Sequence, residues 1–179
     1  MSLTSAHKSV LALLMGAGAM ALAGPASADV RFYAYDASDR TTQSLTRGIT
    51  LEVRRGLMGA TTLRGLFSTT SRGSARFISG GPSQARSVLP DGSTANQIYS
   101  IAAEGDGRAL GRALCPGAND TWLIASRLKS GHPTTLHAVG LWSDGQYRHC
   151  VALNYNYRGE WAQPPGPTVA NPDGLIQPR

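Results

Sequence analysis

Cysteine is scarce in this chain: Cys115 and Cys150 are the only two. They and the scattered histidines His132, His137 and His149 lack the spacing of a zinc site, so no metal is expected. "YDASD" at 35–39 and "EGDG" at 104–107 lack the ligand run of a calcium loop and read as turns or caps. No G-x-S-x-G elbow occurs, and "GDGRALG" puts its third glycine one place late for a dinucleotide fingerprint, so no cofactor is expected either. Zinc-finger spacing, RNA-binding signatures and helix-turn-helix patterning are also missing, which argues against nucleic acid as a partner. Beyond the first 28 residues there is no long apolar run, so no transmembrane segment is expected.

Those first 28 residues carry Lys8, the uncharged run "VLALLMGAGAMALA" from Val10 to Ala23, and small residues at Ala26 and Ala28. This is the pattern of a secretory signal peptide cut near Ala28. The apolar run has 14 residues, fewer than the roughly 20 needed to span a bilayer. The remainder is expected in the periplasm or secreted, with a net charge of +5. Export meets an oxidising environment, in which two cysteines predict one disulfide, Cys115 to Cys150. Closing that loop contributes about 3 to 4 kcal/mol on the loop-entropy account.

From Gln146 to Tyr157 every odd position is apolar, aromatic or histidine, which predicts a strand. On a regular strand His149 and Cys150 face apart, so these neighbours cannot act as base and nucleophile. "SDG" at 143–145 reads as a hairpin turn to the preceding apolar segment, with Gly145 left-handed. A two-residue or a three-residue loop fits, and that choice decides whether His137 and His149 meet. Upstream, "NDTWLIASRLKSGHP" predicts a helix from about Thr121 to Ser130, with a strand as the alternative because Trp122, Leu123 and Ile124 declare no period. "DGRALGRALCPG" predicts a short helix with Asp106 at its start. The amino-terminal half reads as strands: "VRFYAYD", "GITLEVRRG", "TTLRGLFSTT", "SARFIS" and "QIYSIAA". The last 17 residues, from Gln163, hold five prolines and predict an extended tail.

The expected fold is therefore mainly β (α+β), an antiparallel sheet or small barrel with one or two short helices and one disulfide. Residues 1–28 form the leader, 29–162 a single domain and 163–179 the tail.

Charge is unevenly distributed. Between Arg40 and Pro90 eight arginines face Glu52 alone, while from Asp91 onward seven basic residues meet seven acidic ones. If strands present Arg47, Arg54, Arg55, Arg64, Arg72 and Arg76 on one face, they form a site for an anionic glycan, a glycolipid or an acidic protein. Tyr147, Tyr155, Tyr157 and Trp161 have faces able to stack on sugar rings, although alternating strand positions favour the core. The expectation is an exported binding or envelope-accessory domain rather than an enzyme.

Two resemblances bear on function. "VRF" at 30–32, "FSTTS" at 67–71 and "EGD" at 104–106 resemble, in order, the motifs of toxin-type mono-ADP-ribosyltransferases. That resemblance implies that Arg31 and Ser68 hold a nicotinamide dinucleotide and that Asp106 is the catalytic acid. Thr70 stands where the family has a second serine, and aspartate where it has glutamate. The order of cysteine, tryptophan-bearing helix, "SG", strand and cysteine from Cys115 to Asn156 is similar to small disulfide-tied barrel subunits that bind glycans in multi-subunit toxins. An inhibitor of a secreted hydrolase also fits a small disulfide-bonded exported domain.

Overall fold

A computed structural model describes residues 29–56, 59–68 and 74–162. The expected leader (1–28), the expected tail (163–179) and Arg72 lie outside the described residues. Eight strands follow one another around a closed antiparallel barrel, each paired with the next and the last with the first. They are β1 (Asp29–Ala37), β2 (Gly48–Arg55), β3 (Thr61–Ser68), β4 (Ser74–Ser79), β5 (Gln97–Ile101), β6 (Asp120–Ala125), β7 (Thr134–Leu141) and β8 (Tyr147–Ala162). Helix α1 (Arg40–Leu45) joins β1 to β2, and α2 (Gly107–Leu114) joins β5 to β6. The small-barrel form of the sequence expectation holds. No helix among the described residues is long and apolar enough to cross a membrane.

Period-two alternation explains the strands. In β2, Ile49, Leu51 and Val53 point inward and are buried, while Thr50, Glu52 and Arg54 point outward. An eight-stranded barrel has an interior just wide enough to be filled by side chains. Here Tyr33, Tyr35, Tyr99 and Tyr155 occupy it with leucines from β2, β3, β6, β7 and β8. Asp39 caps α1, accepting hydrogen bonds from the Thr42 backbone N–H and hydroxyl at 2.8 and 2.9 Å. α2 lies flush on the barrel because a Cβ at Gly107 would come within 1.8 Å of the Ala102 carbonyl oxygen. The Cys115–Cys150 disulfide ties the end of α2 to β8, with Cα atoms 5.4 Å apart.

Two local expectations change. Residues 121–130 are not a helix; Asp120–Ala125 is β6, followed by an irregular segment. Leu123 and Ala125 join the main core, whereas Ile124 is buried in a second cluster on the outer wall. With both faces covered, the strand shows no polar alternation, which is why its period was unreadable. β8 is a strand as expected, but its odd positions do not share one face. Val139 pairs with His149 and Ala138 with Val151, leaving Cys150 as the extra residue of a bulge. Tyr147 packs in the outer cluster, while Val151, Leu153 and Tyr155 belong with the interior.

The second cluster lies under the connection from β4 to β5, residues 80–96. Ala85 and Ala95 of this strap, with Val88 and Leu89, cover Ile98, Ile124, Val139, Trp122 and Tyr147 on the outer wall.

Buried hydroxyls offer a test of the interior. Tyr155 Oη is 2.8 Å from Thr46 Oγ1, whereas Tyr35 Oη is buried with no hydrogen-bond partner among the described residues. An unmet buried hydroxyl costs roughly 1–3 kcal/mol, and a met one contributes about 1. Chemical denaturation is expected to find Tyr35→Phe as stable as the parent or more so, and Tyr155→Phe about 1 kcal/mol less stable.

Candidate functional site

The outer wall over β1 to β4 gathers part of the arginine segment. Glu52 pairs with Gly65 and Val53 with Leu63, so Arg64 is the extra residue of a bulge and is exposed. Arg76 pairs with Gly65 on the next strand, is 69% exposed, and reaches back to Glu52 with its Nη1 3.1 Å from Oε2. Arg54 stands two residues beyond Glu52 on the same outward face of β2. Arg54, Arg64 and Arg76 thus share one wall with a single carboxylate between them. The other expected arginines lie elsewhere. Arg47 sits in the turn after α1 with a positive φ of 58°, and Arg55 turns inward to donate to Tyr33 Oη at 2.9 Å beside Glu160.

Aromatic rings adjoin these arginines. Trp161 pairs with Phe32, Phe32 with Glu52, Glu52 with Gly65 and Gly65 with Arg76, so one row of side chains crosses five strands. At about 4.8 Å per strand the row is about 19 Å long. The Phe32 and Trp161 rings are 6.2 Å apart and inclined by only 16°, and Phe67 lies 6.2 Å from Phe32. Phe67 is 40% and Trp161 44% exposed. Trp161 faces outward because Arg158 is the extra residue of a bulge between Tyr157 and Gly159, which reverses the alternation. The other aromatic residues of β8 are placed differently, Tyr155 in the core, Tyr157 packed against it and Tyr147 under the strap. Phe32 and Phe67 were missed from the sequence, although Phe32 lies one place out of step with Tyr33 and Tyr35.

A cleft of about 550 Å³ opens between α2 and β6, with Arg108 and Arg112 on one side and Asp120, Thr121 and Trp122 on the other. It carries both signs of charge.

His137 and His149 do meet. The Trp142 N–H donates to the Gln146 carbonyl and the Gly145 N–H to the Trp142 carbonyl, closing a three-residue loop in which Gly145 has a φ of 75°. That register brings His137 Nδ1 within 3.1 Å of His149 Nε2. Ser93 of the strap approaches the other ring nitrogen of His137 at 3.2 Å. Two imidazoles fall short of a metal cage, and no group of three histidine, cysteine or acidic side chains suited to a metal occurs among the described residues.

The residues marked by the transferase resemblance stand apart. Arg31 is engaged by Asp29 at 2.6 Å, Ser68 donates to the Thr46 carbonyl, and Asp106 accepts from the Ser74 N–H. Arg31 is paired with Val53 and Ser68 with Ile49, four residues away along β2. No family model, curated protein or solved structure matches this chain.

The histidine pair makes stability depend on pH. Burial, and then the neighbouring His149, hold the His137 pKa below the ordinary histidine value of 6.5; burial alone does the same to His149. The unfolded chain then binds more protons than the folded one as pH falls below about 6.5, so stability is full above that value and declines on acidification. Thermal melts between pH 7.5 and pH 5, about one unit or more either side of that midpoint, are expected to show this loss, and His149→Gln to flatten it.

Proposed function

We propose that this chain is an exported binding domain that holds an anionic glycan strand against the outer wall of β1 to β4. The observation that carries the reading is the cluster of outer-wall rings, exposed Trp161 and Phe67 with half-buried Phe32 between them, adjoining Arg54, Arg64 and Arg76. The barrel interior is already filled, so these rings have no packing task inside the domain. Flat aromatic faces suit the apolar faces of sugar rings, and guanidinium groups suit carboxylate or sulfate substituents through paired N–H donors. Gly65, lacking a side chain between Glu52 and Arg76, keeps the middle of the row low. An acidic protein partner would engage the same arginines with less need of the rings.

Calorimetry with polygalacturonate and dextran sulfate, against neutral dextran and polyglutamate, separates these cases. Binding to the charged sugar polymers is expected to weaken from about 0.01 to about 0.15 M salt, as the Debye length falls from about 30 to about 8 Å. The double variant Arg54→Glu, Arg64→Glu should abolish it, and Trp161→Ala should weaken it at every salt concentration. Polyglutamate bound as tightly as the sugar polymers, with Trp161→Ala neutral, would point to a protein partner. Salt-independent binding, or none, would end the electrostatic reading.

A further inference from the structure

The strap places a hydroxyl at the head of two imidazoles. Ser93 Oγ lies 3.2 Å from His137 Nε2, and His137 Nδ1 lies 3.1 Å from His149 Nε2. A hydroxyl within reach of a base, with that base oriented by a third group, is the arrangement that activates a serine. Three further observations single out this serine. Its turn is tight: the Ser93 N–H donates to the Pro90 carbonyl at 3.1 Å, and Gly92 before it has a φ of 80°. The Ala95 N–H also donates to Ser93 Oγ at 3.3 Å, which stabilises negative charge on that oxygen. The Thr94 backbone N–H, next in sequence to the serine, has no acceptor among the described residues, which leaves an unused donor beside the nucleophile.

We propose that Ser93 is a nucleophile with His137 as its general base and His149 as a positioning residue, and that it takes acyl groups from carboxylic esters. This site is independent of the arginine wall. Only one direction of the hydrogen-bond chain serves the reaction: Ser93 donates to His137 Nε2, and the His137 Nδ1–H donates to His149 Nε2. Ser93 Oγ bonds to the ester carbonyl carbon while its proton passes to His137 Nε2. The same proton then goes to the departing alkoxide as the ester C–O bond breaks, leaving acyl-Ser93 and an alcohol. Water repeats the exchange and releases a carboxylic acid and the free serine. His137 is 7% exposed and held neutral by its surroundings, so it is ready to receive a proton at neutral pH. His149, an imidazole where a carboxylate would do more for the imidazolium, makes this a slow reaction.

The test is covalent labelling of the intact chain with an alkyl fluorophosphonate, which forms a P–O bond to an activated serine and loses fluoride. Peptide mass mapping is expected to place a single adduct on Ser93, and p-nitrophenyl acetate to be hydrolysed above the buffer rate. Ser93→Ala, at a partly exposed strap position, should abolish both while the chain stays folded, its melt lowered only by loss of the bonds Ser93 makes to His137 and the Ala95 N–H. His137→Gln should lower the labelling rate by about 100-fold or more, the usual contribution of a general base. The labelling rate should rise with pH through a midpoint below 6.5, and His149→Gln should move that midpoint, which a merely structural tie would not do. Labelling spread over many serines, or equal in the folded Ser93→Ala variant, would overturn the assignment and reduce the chain of bonds to a fastener for the strap.

Discussion

The seam between β1 and β8 is the contact on which the rest of this molecule depends. β8 is 16 residues long; its first part pairs with β7 and its last part with β1, so one strand completes both sides of the closure. Without that seam β1 would be an open edge, and the tyrosines of the interior would lose a wall. The seam also sets the surface. Past the bulge at Arg158, Glu160 turns inward, its carboxylate 3.9 Å from Arg31 and 3.6 Å from Arg55, while Trp161 turns outward onto Phe32. Closure and the exposed ring platform are thus consequences of the same pairing.

Bulges do comparable work elsewhere. One extra residue at Arg64 leaves that arginine exposed between strands that also present Arg54 and Arg76. One at Cys150 lets the sulfur turn toward Cys115 while His149 stays on the outer wall against His137. A regular strand could not send His149 outward and both Cys150 and Val151 inward. Each irregularity costs a ladder bond and in return aims a reactive or charged side chain.

This explains what the sequence disclosed and what it withheld. Strands whose two faces differ in polarity, such as β2 with Ile49, Leu51 and Val53 against Glu52 and Arg54, were legible, as was the short α2. β6 was not, because the strap covers Ile124 on a face that would otherwise be polar. The alternation of β8 identified the strand but not the faces, since a bulge leaves no mark on composition. The disulfide followed from the cysteine count and the expectation of export. The arginine segment announced a charge without its geometry: Arg54, Arg64 and Arg76 share a wall, while Arg47 and Arg55 do not. Ser93 carried no signal, because its neighbourhood is made by residues far along the chain.

The same seam governs how the protein must be made. Arg31 sits opposite Ala162, so the first strand waits for the last before its second edge is satisfied. Contacts of such sequence separation charge their loop entropy before returning any stabilisation, which slows folding. A chain emerging amino end first would hold β1 to β7 as an unclosed sheet with two bare edges until β8 arrived. Completion of the barrel is therefore a whole-chain event, and the interval before it is when the protein is most exposed to mispairing with another copy of itself.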